Sequence, residues 1–142
     1  MPSFTTQVSN LQSLGLVLEI GVAPGKVAEE LQGARPSGSA GLLSVSAMID
    51  TGAACSVVAA GLPKKLGLSP VGVARISTPA AHAVECYEYL VRFVFPNEVI
   101  CETTVIEASL RGHHIQCLIG RDVLAEAVLV YVGHNDSFTL SF

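Results

Sequence analysis

Asp50 ends the apolar run Ala47-Met48-Ile49 and is followed at once by Thr51-Gly52-Ala53. A carboxylate set at the end of an apolar strand is costly to desolvate unless it is hydrogen-bonded. Asp50 therefore needs donors close by, and Gly52 is the residue type that lets backbone amides approach a side chain or ligand with no Cβ in the way. On its own, Asp-Thr-Gly is a string of common residues that also serves as an ordinary strand-end turn. A second segment gives it weight. Cys117-Leu118-Ile119-Gly120-Arg121-Asp122-Val123-Leu124 places a glycine after apolar residues, then Arg-Asp and two further apolar residues that start a short helix.

With both segments present in this order, the chain resembles the retropepsin-like aspartic proteases, and more their cellular and bacterial branch than the viral one. The resemblance spans about residues 14–142. It implies an all-β chain forming a closed barrel of the acid-protease type with one or two short helices, one half of a twofold dimer. Residues 1–13 would be an N-terminal arm, ordered or not, and 14–142 the protease domain. In this reading Asp50 is the catalytic aspartate and the Thr51 hydroxyl grips its counterpart across the dimer axis. Gly52 and Ala53 line the floor, supported by Gly120 and Arg121. Met48, Val57, Gln116 and Leu118 match side-chain subsites. The segment Ile76–Val84 matches the flap hairpin, with Ile76, Thr78, Pro79 and Ala80 against the substrate. Two features depart from the family. The flap tip reads Pro79-Ala80-Ala81-His82 where family flaps are often glycine-rich, and Ala54-Cys55 stand where many viral members carry the aspartate that pairs with the arginine.

Aspartic proteolysis needs two carboxylates that share a proton, and the chain has one such motif. Asp136-Ser137-Phe138 is the nearest second candidate, but it has Phe where glycine is required and reads as a turn after Asn135. An isologous twofold contact supplies the second carboxylate, because it brings the same residue of each subunit to one point. Two carboxylates about 3 Å apart cannot both ionise readily, so activity is expected to fall at alkaline pH. Ala53 lacks the hydroxyl found at that position in many two-domain relatives, which sets the expected optimum at a less acidic pH. In the family the closing strand joins an intersubunit sheet, which would cover the apolar strand Ser137–Phe142.

Period-two alternation predicts the strands that must position these residues. It appears in Leu14–Ile20, Leu43–Ile49, Tyr87–Phe95 with Val99–Ile106 after a turn at Pro96-Asn97, and again at Phe138–Phe142. Two helical pieces are expected, about Ala59–Leu66 closed by Gly67, and about Arg121–Ala125. Gln32–Gly41 reads as a surface loop rich in glycine, serine and proline.

Bulk composition narrows the function further. Of 142 residues, 50% are apolar and 14% charged, against roughly 25% charged in an average soluble domain, so some apolar surface is expected to meet another chain. No run reaches the roughly 18 apolar residues of a membrane span, the start lacks a secretion signal, and the net charge of −4 comes with scattered bases. The reading is a cytoplasmic protein with no membrane or nucleic-acid partner and no cofactor. Its four cysteines show no C-x-x-C spacing and read as buried free thiols. His113-His114 would point to opposite faces of a strand, which argues against a metal site. Gly21–Lys26 reads as a turn, one residue short of a phosphate loop and with Val27 in place of Ser or Thr. No signature of a cysteine nucleophile is present. Two functions remain: an endopeptidase acting on extended peptides, and a catalytically weak or inactive peptide-binding or dimerisation module on the same fold.

Overall fold

Extended backbone points successive side chains to opposite faces, and alternation organises most of this chain. The computed structural model describes residues 1–25, 41–78 and 81–142. In chain order these form β1 (Ser3–Gln7), α1 (Leu11–Leu14), β2 (Val17–Pro24), β3 (Leu43–Ile49), β4 (Val57–Ala59), α2 (Leu62–Lys65), β5 (Gly72–Thr78) and β6 (Ala81–Phe95). Then come β7 (Val99–Ala108), β8 (Cys117–Ile119), α3 (Arg121–Leu124), β9 (Val128–Val132) and β10 (Ser137–Ser141).

Six strands, in the order β2-β3-β8-β4-β7-β6, close into a barrel because β6 returns to pair with β2 from Gly21↔Val94 to Pro24↔Val91. Inward residues of these strands, among them Val22, Ala47, Val58, Val91, Phe93, Val105, Cys117 and Ile119, are fully buried. Burying a side chain the size of Phe93 contributes roughly 1.5–3 kcal/mol. Beyond the barrel, the first half of β6 pairs antiparallel with β5 as a projecting hairpin, with Ile76 opposite Val84 and Thr78 opposite Ala81. Pro79 and Ala80 lie outside the described residues, as do the Gln32–Ala40 part of the predicted loop and Lys26.

A second, three-stranded sheet has the order β1-β10-β9. Residues 3–7 of the N-terminal arm are thus a strand, and Phe4 stacks on Phe95 with ring centroids 5.5 Å apart. Period-two reading missed β1, β9 and the three-residue β4, which are short or carry a mixed pattern.

Two boundaries differ from the periodic reading. Leu14 belongs to α1, not to a strand: Asn10 Oδ1 accepts the Ser13 N–H at 3.3 Å, Asp136 Oδ1 accepts the Leu11 N–H at 2.9 Å, and Gly15 at φ +78° ends the turn. The helix expected over Ala59–Leu66 shrinks to the single turn Leu62–Lys65, because Val57–Ala59 pairs into the barrel and Gly61 at φ +90° breaks the direction of the chain. Gly21–Pro24, read as a turn, is the second half of β2. The short α3 and the turn at Pro96–Glu98 fall where the pattern put them.

Candidate active site

β8 lies between the two strands that flank the Asp50 turn. It runs parallel to β3, with Met48↔Leu118 and Ile49↔Ile119 in register, and antiparallel to β4, with Val57↔Leu118. Paired residues share a face, so Ala47, Ile49, Val58, Cys117 and Ile119 fill the core, whereas Met48, Leu118 and Val57 form a row on the other side. Parallel pairing of β4 with β7 extends the row to Ile106. Asp50 is half-buried and follows this row at the C-terminal end of β3.

The turn itself is held by donors, as a carboxylate in that setting requires. Asp50 Oδ1 accepts the Gly52 N–H at 2.8 Å, the Asp50 carbonyl accepts the Ala53 N–H at 3.2 Å, and the Asp50 N–H donates to Ile119 at 2.9 Å. A Cβ on Gly52 would stand 3.0 Å from Asp50 Oδ1. Gly52 therefore serves close approach of the carboxylate, which a Cβ would push aside, and not an unusual backbone angle.

Residues 120–122 clamp this turn from the other side. The Arg121 N–H donates to the Ala53 carbonyl and its Nη1 to the Thr51 carbonyl, both at 2.8 Å. That supplies the partner for Arg121 which the sequence leaves open: backbone in place of a carboxylate. Asp122 accepts the Ser56 N–H and the Ser56 hydroxyl, each at 2.8 Å, and the Val123 N–H at 2.9 Å. The Ser56 hydroxyl in turn accepts the Gly120 N–H at 3.0 Å. Gly120 packs so tightly that an added Cβ would lie 2.6 Å from the Cys55 carbonyl carbon and 3.0 Å from the Ala53 oxygen. Ser56 is fully buried, and a serine six positions after Asp50 gave no pattern by which to single it out. The Asp in Gly-Arg-Asp was the only legible half of this pair.

Of the residues matched to substrate contacts, Val57, Ile76 and Leu118 come together in one apolar cluster, with Cys86, Ile106 and Ala74 beneath the β5–β6 hairpin. Val57 is the most enclosed of the three, at 9% exposure. Met48 adjoins Leu118 but lines a separate groove with Val17 and Ile115. Gln116 is set apart: its Oε1 accepts the Ser46 N–H at 2.7 Å, which continues the β3–β8 ladder away from Asp50. Thr51 is exposed. Thr78 closes the described part of β5, and Pro79 and Ala80 fall outside the described residues. Asp136, rejected above as a second catalytic motif, is occupied in holding α1.

All four cysteines are free. Burial, then the charge of Asp122, pushes the Cys117 thiol up to about 12, and Cys55 and Cys101 are raised mainly by burial as well. These thiols are held protonated, the wrong state for a nucleophile. Among the described residues no three His, Cys, Asp or Glu side chains are grouped to hold a metal ion, and no helix is long and apolar enough to cross a membrane.

No family model and no curated protein matches the chain. Among solved structures it is similar to the EIAV protease in complex with the inhibitor HBY-793, at 19% identity and a TM-score of 0.44, over 58% of this chain and 76% of that one. It is also similar to a retropepsin-like aspartic protease from Rickettsia conorii, at 17% identity and a TM-score of 0.48, over 87% of this chain and 90% of that one. The all-β closed barrel with few short helices, expected from the two sequence motifs, is what the strands form.

Proposed function

We propose that the chain is one subunit of a homodimeric aspartic endopeptidase, with residues 14–142 as its protease domain and Asp50 as the carboxylate each subunit contributes. The observation that carries this reading is the clamp on the Asp50 turn. Arg121 and Asp122 hold the backbone of Thr51, Ala53 and Ser56, so Asp50 is fixed at the edge of an apolar row against which the β5–β6 hairpin packs. A carboxylate under no catalytic demand would not need its supporting backbone fixed from both sides.

In the dimer, one Asp50 is deprotonated and takes a proton from a water molecule as the water oxygen attacks the scissile carbonyl carbon. The partner copy's carboxyl is protonated and donates to the carbonyl oxygen. The tetrahedral intermediate then collapses: the C–N bond breaks, a proton passes from the dyad to the leaving nitrogen, and a carboxylic acid and an amine are released. Preorganised donors around the dyad contribute because they need not reorient as charge moves. An extended peptide would lie over Leu118 and Ile76 beneath the two hairpins. Free thiols throughout fit a reducing compartment such as the cytoplasm.

Cleavage of a diverse peptide library by wild type and Asp50→Asn, from acid to mildly alkaline pH and with and without pepstatin, tests the reading. Wild type is expected to cut, with a rate that falls in alkali as the dyad loses its shared proton, and Asp50→Asn is expected to be silent. Folded wild type that cuts nothing at any pH would leave the peptide-binding module as the function.

A further inference from the structure

The loop between β7 and β8 carries an unusual concentration of basic side chains for an acidic chain, Arg111, His113 and His114 within four residues. Adjacent histidines would diverge on a strand, but here they lie in a turn. The His113 N–H donates to the Leu110 carbonyl at 3.1 Å, and Gly112 sits at φ +86°, the left-handed position of a tight turn that glycine fills without strain. His113 and His114 both belong to the lining of one groove of about 380 Å³. Its apolar surface is Leu14, Val17, Met48 and Ile115, and Ser13 and Ser46 add hydroxyls.

The position of this groove gives it meaning. Met48 is two residues before Asp50 and in register with Leu118, so the groove, though separate, adjoins the apolar row at Met48. It combines an apolar surface for an aliphatic stem with two histidines, whose ring N–H groups can donate hydrogen bonds. Among the described residues, α1, β2, β3 and the β7–β8 loop carry one carboxylate, besides Asp50 after β3 and Asp136 held against α1. This is Glu19, opposite Ser46 in the β2–β3 ladder, which accepts a hydrogen bond from the Ser44 hydroxyl at 3.4 Å and is absent from the groove lining.

We infer that this groove is a specificity site that takes a carboxylate-bearing side chain, glutamate or aspartate, of the bound peptide, with His113 and His114 as the residues that select it. The inference rests on the protease reading for the identity of the ligand as a peptide. The stem packs against Met48 and Val17 while the carboxylate accepts from the imidazoles, a hydrogen bond assisted by the charge of the acceptor. Lysine at the same peptide position brings only N–H donors and offers the ring N–H groups no acceptor.

Binding separates this inference from the question of catalysis. Fluorescently labelled peptides of one apolar sequence, with Glu, Gln or Lys placed in turn at each position, are titrated onto folded Asp50→Asn protein. At one position Glu is expected to bind about tenfold more tightly than Lys, the scale of one charge-assisted hydrogen bond. The double substitution His113→Asn with His114→Asn should bring that ratio close to unity in a protein that is folded by circular dichroism. No position that distinguishes Glu from Lys, no binding of any peptide, or a preference that survives the double substitution overturns the inference. The same peptides offered to wild type read the other question. Glu-selective binding without cleavage would sink the protease reading and leave the groove, whereas cleavage with no preference for Glu would do the reverse.

Discussion

The Ser56 hydroxyl donates to Asp122 Oδ1 at 2.8 Å and accepts the Gly120 N–H at 3.0 Å, so one buried side chain joins the segment after Asp50 to the segment before α3. Both of its hydrogen-bonding roles are filled inside the protein, and Asp122 holds the Ser56 amide as well. Asp122→Ala strands the buried hydroxyl and amide together. Leaving a buried polar group unsatisfied costs about 1–3 kcal/mol, so the midpoint of urea unfolding should drop by a corresponding amount. Ser56→Ala, which removes the hydroxyl but leaves Asp122 with two amides, should cost less. Equal losses in the two variants would mean that the pair does not act as described.

Gly120→Ala is expected to be among the most damaging single-methyl changes in the chain. The new Cβ would meet the Cys55 carbonyl carbon at 2.6 Å and its oxygen at 2.7 Å, and backbone on both sides leaves no flexible side chain to give way. Overpacking of this kind costs roughly 1–3 kcal/mol or more. Gly52→Ala approaches only Asp50 Oδ1, at 3.0 Å. It should remain folded by circular dichroism and lose function instead, because the carboxylate must shift. A Gly120→Ala protein as stable as wild type would contradict the packing of the two turns.

Burial, with the charge of Asp122 second, raises the Cys117 thiol from 9.0 to about 12. Above the lower value the unfolded chain gives up a proton that the native chain keeps. Native stability is therefore full below about pH 9 and falls as pH rises toward 12, at about 1.4 kcal/mol per pH unit from this one group. Cys55, Tyr89 and Cys101 are raised in the same direction. Cys117→Ala should flatten the alkaline slope relative to wild type in urea titrations at a series of pH values. An unchanged slope would show that the thiol ionises freely in the native state.

β10 is flanked within its own chain by β1 and β9, so the family expectation that the closing strand pairs across the dimer needs another edge. Among the described residues β1 and β9 have one strand partner each, and β9 exposes Val130 at 47% and Tyr131 at 52%. If a second copy uses the β9 edge, Val130→Lys should weaken self-association through charge on an apolar edge while leaving the monomer folded. Sedimentation velocity over a concentration series reads this directly. A Val130→Lys protein that associates as wild type does would move the contact to β1 or elsewhere.

Much of this structure was legible from residue types because the relevant signals are local. Alternation marked β3 and β6, and the Asp50 and Gly120 turns announced themselves by a glycine beside a charged residue. What was not legible depends on contacts distant in sequence. Leu14 continues an alternating pattern but is drawn into a helical turn capped by Asp136, 122 residues away by subtraction of the two positions. Gln116 matched a subsite by position, yet its side chain is spent on the Ser46 amide. His113 and His114 are not on a strand: the turn at Gly112 puts both residues in the lining of one groove.

The central claim is that one Asp50 from each of two subunits makes one active site, and subunit mixing tests it most directly. Wild type and Asp50→Asn are combined at fixed total concentration, allowed to exchange, and assayed on a cleaved peptide. If the dyad is shared, only dimers with two wild-type chains cut, and an equal mixture retains about a quarter of the activity of pure wild type, since chains pair at random in an isologous dimer. Activity in direct proportion to the wild-type fraction at every mixing ratio, half in the equal mixture, would mean that each chain works alone, and the shared-dyad account would be wrong.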